Sequence, residues 1–136
     1  MEKEKIVFIS GKRKTSIAKV KIRNGKGRVL YNGLPYSELG LFHKLSLMEP
    51  IRIGEHILGE FNFDIEVKTS GGGKESQIQA ARLGIAKALF KFTNSVELKK
   101  AFIDYDRNLL VADIRRKETY KPGDSKARAM RQSSKR

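Results

Sequence analysis

The chain has 136 residues, 39% of them hydrophobic, and its 29 lysines and arginines outnumber 15 acidic residues to give a formal net charge of +14. This length suits one domain with one hydrophobic core. Cysteine is absent, which excludes disulfides, thiolate metal sites and cysteine nucleophiles and is typical of a reducing, cytoplasmic compartment. The excess positive charge predicts a polyanionic partner.

The polyanion is expected to be nucleic acid rather than a membrane surface. The first apolar run, residues 6–9, is too short for the hydrophobic region of a signal peptide or for a membrane span. The most basic region lacks an amphipathic helix with bulky apolar residues opposite its cations, which binding to a membrane surface would require.

Three strands are predicted in the N-terminal part. Residues 6–9 are expected to form a buried strand and residues 16–23 a second strand, with apolar side chains inward and cations outward. The sequence NGKG at residues 24–27 tolerates positive φ angles and predicts a hairpin between the second strand and a third at residues 28–31. Another turn is expected at residues 32–35. The outward cations of the second strand are Lys19, Lys21 and Arg23.

The middle of the chain predicts two helices and a strand. Residues 37–48 have a weak helical pattern, which is expected to stop before Pro50 because the proline ring clashes with the preceding turn. Residues 61–68 alternate cleanly and predict a strand. Within residues 70–92, apolar side chains recur at helical spacing on two sides, so this helix is expected to be covered on both. One side comprises Ile78, Ala81, Ile85, Ala88, Leu89 and Phe92, and the other Leu83 and Phe90.

The last predicted elements of the body are short. Asn94 as a cap, with Glu97 three residues later, resembles a capping box and predicts a helix over residues 94–103. Residues 109–112 are expected to add a short strand. Together these elements predict a globular α/β domain over residues 1–114.

The C-terminal segment, residues 115–136, differs in composition from the body. It holds nine lysines and arginines and two acidic residues, and its only apolar residues are Tyr120, Ala127, Ala129 and Met130. So few apolar side chains cannot offset the entropy lost on ordering, and the segment is expected to be a disordered basic tail on its own. We expect it to order on nucleic acid; the alternative is a solvated tail that aids solubility.

Several stretches resemble enzyme motifs without meeting their requirements. GGGK at residues 71–74 lacks the upstream glycine and the following Ser or Thr of a P-loop; its amides at a helix start can still receive a phosphate, or the glycines allow close packing. His43 and His56 have no spacing that indicates acid–base catalysis. Helix-end and ion-pair roles are expected, rather than magnesium binding, for Asp104, Asp106 and Asp113.

A basic triplet lies between the first two predicted strands. In the sequence SGKRKTS, Lys12, Arg13 and Lys14 can approach a phosphate together with backbone amides, and the two following hydroxyl side chains add donors. The alternative is a solvated turn. Beside the overall charge and the basic tail, phosphate binding is the favoured interpretation.

Four stretches together resemble one protein family. They are GKRKTSIAKV near the N-terminus, GGGKESQIQAARLGIAKAL in the middle, DRNLLVADIRRKE at residues 106–118 and KARAMRQSSKR at the end. They closely resemble the S-nine family of ribosomal small-subunit proteins, and the similarity covers nearly all of the chain. LMEPIRIG and LLVAD resemble the archaeal and eukaryotic branch, and the SKR ending with a short N-terminus favours the archaeal type.

The resemblance implies a fold, a location and partners. The fold is a two-layer α+β sandwich similar to the second domain of ribosomal protein S-five, with a left-handed β-α-β crossover and an extended tail. The body is implied to bind in the head of the small subunit beside neighbouring head proteins, and the tail to thread through 16S-type rRNA. The family's terminal Ser-Lys-Arg reaches the anticodon stem-loop of the P-site tRNA, and here those residues are Ser134, Lys135 and Arg136.

The candidate rRNA-binding residues combine the triplet, the glycine-rich connection and the tail. They are Lys12, Arg13, Lys14, Lys74, Arg115, Arg116, Lys117, Lys121, Lys126, Arg128 and Arg131. The chain is predicted not to be an enzyme, and no catalytic, cofactor-binding or metal-binding residue is expected. Two alternatives stay open: an RNA-processing protein subunit of the RNase P type, which shares the crossover fold and basicity, and a free nucleic-acid-binding or chromatin protein.

Overall fold

The computed structural model describes residues 3–120 together with Pro122, Ala127 and Ser134, and over these residues it contains one five-stranded sheet and three α-helices. The strands are β1 (Ile6–Arg13), β2 (Ser16–Asn24), β3 (Val29–Tyr31), β4 (Leu34–Pro35) and β5 (Phe63–Ser70). The helices are α1 (Leu41–Leu58), α2 (Lys74–Thr93) and α3 (Val96–Tyr105), with 3₁₀ turns at Tyr36–Glu38 and Arg107–Leu109. The strand order is β1-β2-β5-β3-β4.

The sheet and the helices form two layers with the core between them. α2 packs along β1, β2 and β5, and α1 and α3 pack against α2 and each other. Val20, Ile65 and Ile85 are at most 1% exposed between the layers. β3 and β5 are parallel neighbours joined through α1, which makes a β-α-β crossover. The predicted α+β sandwich is thus confirmed, and the left-handed sense of the crossover stays a prediction.

The third strand does not pair with the second, so the hairpin predicted from the turn at residues 24–27 was wrong. β5 lies between β2 and β3, antiparallel to β2 and parallel to β3. The connection is tied to β5 because Asp64 Oδ1 accepts hydrogen bonds from the backbone N–H of Lys26 and Arg28, at 3.0 and 3.1 Å. Burial raises the pKa of Asp64, but these hydrogen bonds and the charges of Arg23 and Arg28 together hold that pKa below its ordinary value of 3.8.

β1 confirms the strand predicted at residues 6–9, but it lies at the edge of the sheet, and the prediction that this strand is buried was wrong. Val7 and Ile9 are half-buried, whereas Ile6 is 41% and Phe8 71% exposed. In the described part of the chain, helices cover one face of the sheet and leave the other open, so alternate side chains of β1 face solvent. The strands β2 and β5 confirm their predicted alternation, although β5 begins two residues later than expected. The inward residues of these two strands include Ala18, Val20, Ile22, Ile65 and Val67.

α1 continues through Pro50, which corrects the expectation that the helix would stop before this residue. A proline inside a helix removes one backbone hydrogen bond and costs about 3 kcal/mol. Burial of Leu47, Pro50 and Ile51 in the core offsets this cost, since tertiary packing supplies most of the stability of a helix in a protein. The helix ends at Gly59, whose φ of 78° suits a left-handed cap.

α2 and α3 confirm two predicted helices but have different caps from those expected. All residues of the predicted apolar side of α2 are buried, and so is Leu83 on the other side. Asn94, expected to begin α3, instead ends α2 with a φ of 52°. Ser95 caps α3, and its Oγ accepts a hydrogen bond from the N–H of Leu98 at 3.3 Å. The junction was therefore predicted correctly, but the cap was assigned to the wrong one of two adjacent polar residues.

The two short connections gave one confirmed and one incorrect prediction. The turn at residues 32–35 is confirmed, because Asn32 and Gly33 have φ angles of 51° and 85° and join β3 to β4. The strand expected at residues 109–112 is absent from this described stretch. The 3₁₀ turn at Arg107–Leu109 overlaps the start of this stretch and buries Leu109 in the core, so the apolar pattern there reflects packing of a turn.

β1 lies very close to α2 at a pair of glycines. A Cβ at Gly11 would overlap the carbonyl oxygen of Ala80 and lie 2.8 Å from the backbone N of Gly84. A Cβ at Gly84 would lie 2.6 Å from a methyl group of Val20. Neither position has room for a side chain, and this contact fixes the basic end of β1 over the middle of α2.

Candidate nucleic-acid interface

One face of the sheet has no covering element in the described part of the chain, and it carries the cations of the strands. The register places Lys12 of β1, Lys19 of β2 and Lys68 of β5 on this face, and all three are exposed. Lys21 and Arg23 follow along β2 and are half-buried. We call these five residues the basic sheet face.

The charges of the basic sheet face are balanced by acids at one end only. Lys19 lies directly opposite Lys68 in the β2–β5 register. Residues opposite each other in a sheet have Cβ atoms about 5 Å apart, so two like charges there destabilise the fold. An anion that binds both lysines removes this repulsion. At the other end each cation faces an acid, Lys21 facing Glu66 and Arg23 facing Asp64 with 3.8 Å between Nη2 and Oδ2.

Phe8 adds an exposed aromatic ring to the same face. It is 71% exposed and lies opposite Lys21. An exposed ring beside cations suits single-stranded RNA, because a base can stack on the ring while the cations contact phosphates. Phe8 was not among the predicted site residues because four apolar residues in a row suggest burial on both faces. Lys19 was predicted to face outward, but the register that brings Lys68 beside it leaves no signal in the sequence.

The β1–β2 hairpin divides the predicted basic triplet between two faces. Lys12 and Lys14 are exposed, and Lys14 has a φ of 53° in the two-residue turn. Arg13 points to the opposite face, where its guanidinium forms an ion pair with the carboxylate of Asp113. The Nε of Arg13 is buried without a hydrogen-bond partner among the described residues. Lys12 and Lys14 are therefore the accessible members of the triplet.

Asp113 joins this hairpin to the first residues of the tail. Besides Arg13, its carboxylate accepts hydrogen bonds from Arg115, at 2.9 Å from the backbone N–H and 2.6 Å from Nη2. Nη1 of Arg116 donates at 2.8 Å to the backbone carbonyl oxygen of Asp113. The Asp113 carboxylate is only 17% exposed and contacts both Arg13 and Arg115, so it holds the start of residues 115–136 beside the hairpin. The tail consequently leaves the body beside the basic hairpin.

Lys74 lies at the same end of the sheet. It is the exposed first residue of α2, directly after the glycine-rich connection from β5. That connection packs tightly on β2: Ser16 Oγ donates to the carbonyl oxygen of Gly71 at 3.0 Å, and a Cβ at Gly72 would overlap the Ser16 side chain. The glycines thus serve close packing, which was one of the two expectations for them, and Lys74 is the accessible cation of the connection.

The remaining predicted site residues are only partly covered by the structure. Lys117 is exposed, with Nζ 4.5 Å from the ring centre of Tyr120, and Ser134 is exposed. The structure therefore brings together the hairpin, Lys74 and the start of the tail, and the RNA contacts of all the predicted site residues stay predictions. Those that lie outside the described residues are Lys121, Lys126, Arg128, Arg131, Lys135 and Arg136.

The described residues do not bring together the groups that acid–base catalysis, metal binding or a membrane span would require. His43 and His56 lie 13 positions apart on α1, about 20 Å along the helix, and His43 Nε2 contacts Glu75 Oε1 at 2.7 Å. Asp106 forms an ion pair with Arg82, as expected of a structural aspartate. Over the same residues, no group of three or more His, Cys, Asp or Glu is placed to hold a metal ion. No described helix is long and apolar enough to cross a membrane.

Comparison with known proteins gives full-length matches to one family. The family model for ribosomal protein S9/S16 matches residues 11–136. Small ribosomal subunit protein uS9 of Methanococcus vannielii is 43% identical over 133 residues, which cover 96% of this chain and 98% of that protein. The protein of the same name from Methanococcus maripaludis strain C5 is 42% identical with the same coverage.

These matches confirm the resemblance seen in the sequence. They support one of the functional classes that the sequence left open. The family consists of structural ribosomal proteins, so the prediction that the chain is not an enzyme is confirmed, and the alternative of the RNase P type is not favoured. A ribosomal protein works in the cytoplasmic ribosome, which agrees with the predicted location. The chain therefore belongs to the ribosomal protein S9/S16 family and is an archaeal-type protein of the small ribosomal subunit.

Proposed function

We propose that this protein binds 16S-type rRNA in the head of the small subunit through three adjoining parts. These are the basic sheet face, the β1–β2 hairpin with Lys74, and the tail at residues 115–136, which is held at its start by the body at residues 1–114. The observation that supports this best is Lys19 directly opposite Lys68. A repulsive lysine pair has no stabilising role in the isolated protein, whereas two adjacent cations suit neighbouring phosphates.

The proposed mechanism is electrostatic and positional. Each lysine or arginine that contacts a phosphate releases counterions, which makes the affinity fall steeply with salt. Arginines such as Arg115 and Arg116 can form two parallel hydrogen bonds to one phosphate. In the free protein Asp113 holds both of them near the hairpin. Cations that are distant in the sequence therefore lie close together and can contact the RNA at one site.

Replacing Lys19 and Lys68 by glutamine tests the sheet face. We expect the double variant to bind a transcript of the rRNA head with a salt slope reduced by about 1.5, since each phosphate contact contributes about 0.7 to 0.9 to the slope. Removal of the like-charge pair should also raise the free energy of unfolding by about 0.5 kcal/mol. Filter binding over a series of KCl concentrations and urea denaturation measure the two quantities.

The matched control is Lys44→Gln with Lys100→Gln, which removes the same charge from the helical layer. We expect Lys44 and Lys100 to make no phosphate contact, so this control should leave the salt slope within about 0.3 of the wild-type value. Equal slopes for both double variants would refute a specific role of the sheet face. A loss of stability in the Lys19 and Lys68 variant would refute the repulsion.

We further propose that Ser134, Lys135 and Arg136 contact the anticodon stem-loop of the P-site tRNA. Support comes from the sequence: the chain ends in the Ser-Lys-Arg of the family it belongs to, and the match to the family model extends to residue 136. Lys135 and Arg136 place two adjacent cations next to Ser134, which favours contact with a phosphate.

Deleting Lys135 and Arg136 is expected to leave subunit assembly intact and to weaken P-site tRNA binding about tenfold. Such a loss corresponds to about 1.4 kcal/mol, the size typical of one or two hydrogen bonds to a charged group. The measurement is the dissociation constant of tRNA from reconstituted small subunits. Lys121→Gln with Lys126→Gln is the control, since it removes two tail cations away from the tip. Unchanged tRNA affinity after the deletion, or an equal loss in the control, would contradict a role of the terminus.

A further inference from the structure

A second surface of the body differs in character from the basic sheet face. It is an apolar groove of ≈ 510 Å³ between α2, α3 and the segment after the last 3₁₀ turn, next to the edge strand β1. The apolar groove is lined by Ile9, Phe90, Ile103, Leu110 and Val111. It lies on the helical layer, so an occupant of this groove and an RNA on the basic sheet face can bind at the same time.

Apolar side chains that line the groove are partly exposed to solvent. Ile103 and Val111 are each 44% exposed. Single exposed apolar residues are ordinary, but several that line one concave site mark an interaction surface, because burying them in a partner is favourable. The occupant must therefore supply apolar side chains.

Lysines lie beside the apolar residues of the groove, so an occupant is expected to carry negative charge. Lys87, Lys91 and Lys99 line the groove, and no acidic residue among those described does so. Nζ of Lys99 lies 5.6 Å from the ring centre of Phe90, so this lysine folds over the floor. An apolar segment bearing carboxylates would bury the floor and pair with the three cations, which is the charge complementarity typical of specific protein interfaces.

Other occupants fit less well. The chain's own tail has few apolar residues and nine cations against two acids, so the lysines repel it. A second copy carries a net charge of +14 and is repelled as a whole. RNA can satisfy the lysines, but its bases need an open aromatic face, and the half-buried Phe90 is covered by Lys99 instead.

We infer that the apolar groove docks an acidic amphipathic segment of another small-subunit protein, with apolar side chains in the groove and Asp or Glu side chains facing Lys87, Lys91 and Lys99. This inference goes beyond the RNA-binding function proposed above, because it assigns the helical layer to a protein contact. As a small-subunit protein, the chain works among other proteins that can supply such a segment.

The absence of cysteine from the chain allows a direct test. Val111→Cys introduces a single thiol, which is labelled with a benzophenone maleimide before the protein is reconstituted into small subunits that lack it. We expect irradiation to crosslink the label to an acidic segment of one other small-subunit protein, identified by mass spectrometry. Leu34→Cys is the control, since Leu34 is 60% exposed on β4, at the opposite edge of the sheet. It should not yield that crosslink.

A second pair of variants tests the groove by charge. Ile103→Glu in the Val111→Cys background should reduce the crosslink at least fivefold, whereas Leu34→Glu should leave it unchanged. Both glutamate variants should bind the rRNA transcript equally, which separates this inference from the RNA-binding proposal. Crosslinks from the Val111 label to rRNA, to a second copy of the chain or to a basic segment would overturn the inference, and so would no crosslink in assembled subunits.

Discussion

Removal of residues 115–136 is expected to lower the affinity of the chain for a transcript of the small-subunit rRNA head by more than about three orders of magnitude at 50 mM KCl. The segment holds nine lysines and arginines. If each contacts one phosphate of single-stranded character, together they contribute about 6 to the slope of log affinity against log salt. The truncated chain should therefore lose far less affinity than the full chain between 50 and 200 mM KCl. Filter binding over that range measures both slopes.

Two control tails separate charge from sequence. A tail with the same residues in shuffled order should keep the salt slope, since counterion release depends on the number of contacts and not on their order. A tail with its nine cations replaced by glutamine should behave like the truncation. Asp113 stays in every variant, so the ion pair with Arg13 is preserved. If the truncated chain kept the full salt slope, the tail could not be the main phosphate-binding segment.

Residues of the candidate site could be predicted where the pattern that indicates them lies within a short stretch of the sequence. The basic tail is visible as composition, and the accessible Lys12 and Lys14 are visible as a charged turn. The Lys19–Lys68 pair depends on the register between strands about 50 positions apart, which no local pattern contains. Arg13 was assigned to RNA from its neighbours, but strand alternation turns it toward Asp113.

The fold shows the same division between local and distant information. β2, β5 and α2 were predicted because their periodicity directly reflects a buried face. β3 was assigned to the wrong partner, since a turn specifies a change of direction but not which strand lies alongside. α1 was ended too early because the local cost of Pro50 is visible in the sequence, whereas the core packing that offsets it is not.

Gly11→Ala is expected to lower the free energy of unfolding by about 3 kcal/mol, a large effect for the addition of a single methyl group. The added carbon would overlap the carbonyl oxygen of Ala80 and approach the backbone of Gly84. Helix backbone cannot move aside as a flexible side chain can, so β1 must lift away from α2 and lose buried contacts along its length. Urea denaturation followed by circular dichroism measures the change.

Gly40→Ala provides the matched control, because a Cβ at Gly40 meets no atom within 4 Å and its φ of −55° suits any residue. Its cost should stay below about 1 kcal/mol, the size of a lost helix-cap preference. The Gly11 variant should also bind rRNA more weakly under conditions where it remains folded, because displacement of β1 moves Lys12 and the Arg13–Asp113 pair that holds the start of the tail. Equal stability of the two variants would show that β1 and α2 do not need the close approach on which the position of the basic hairpin depends.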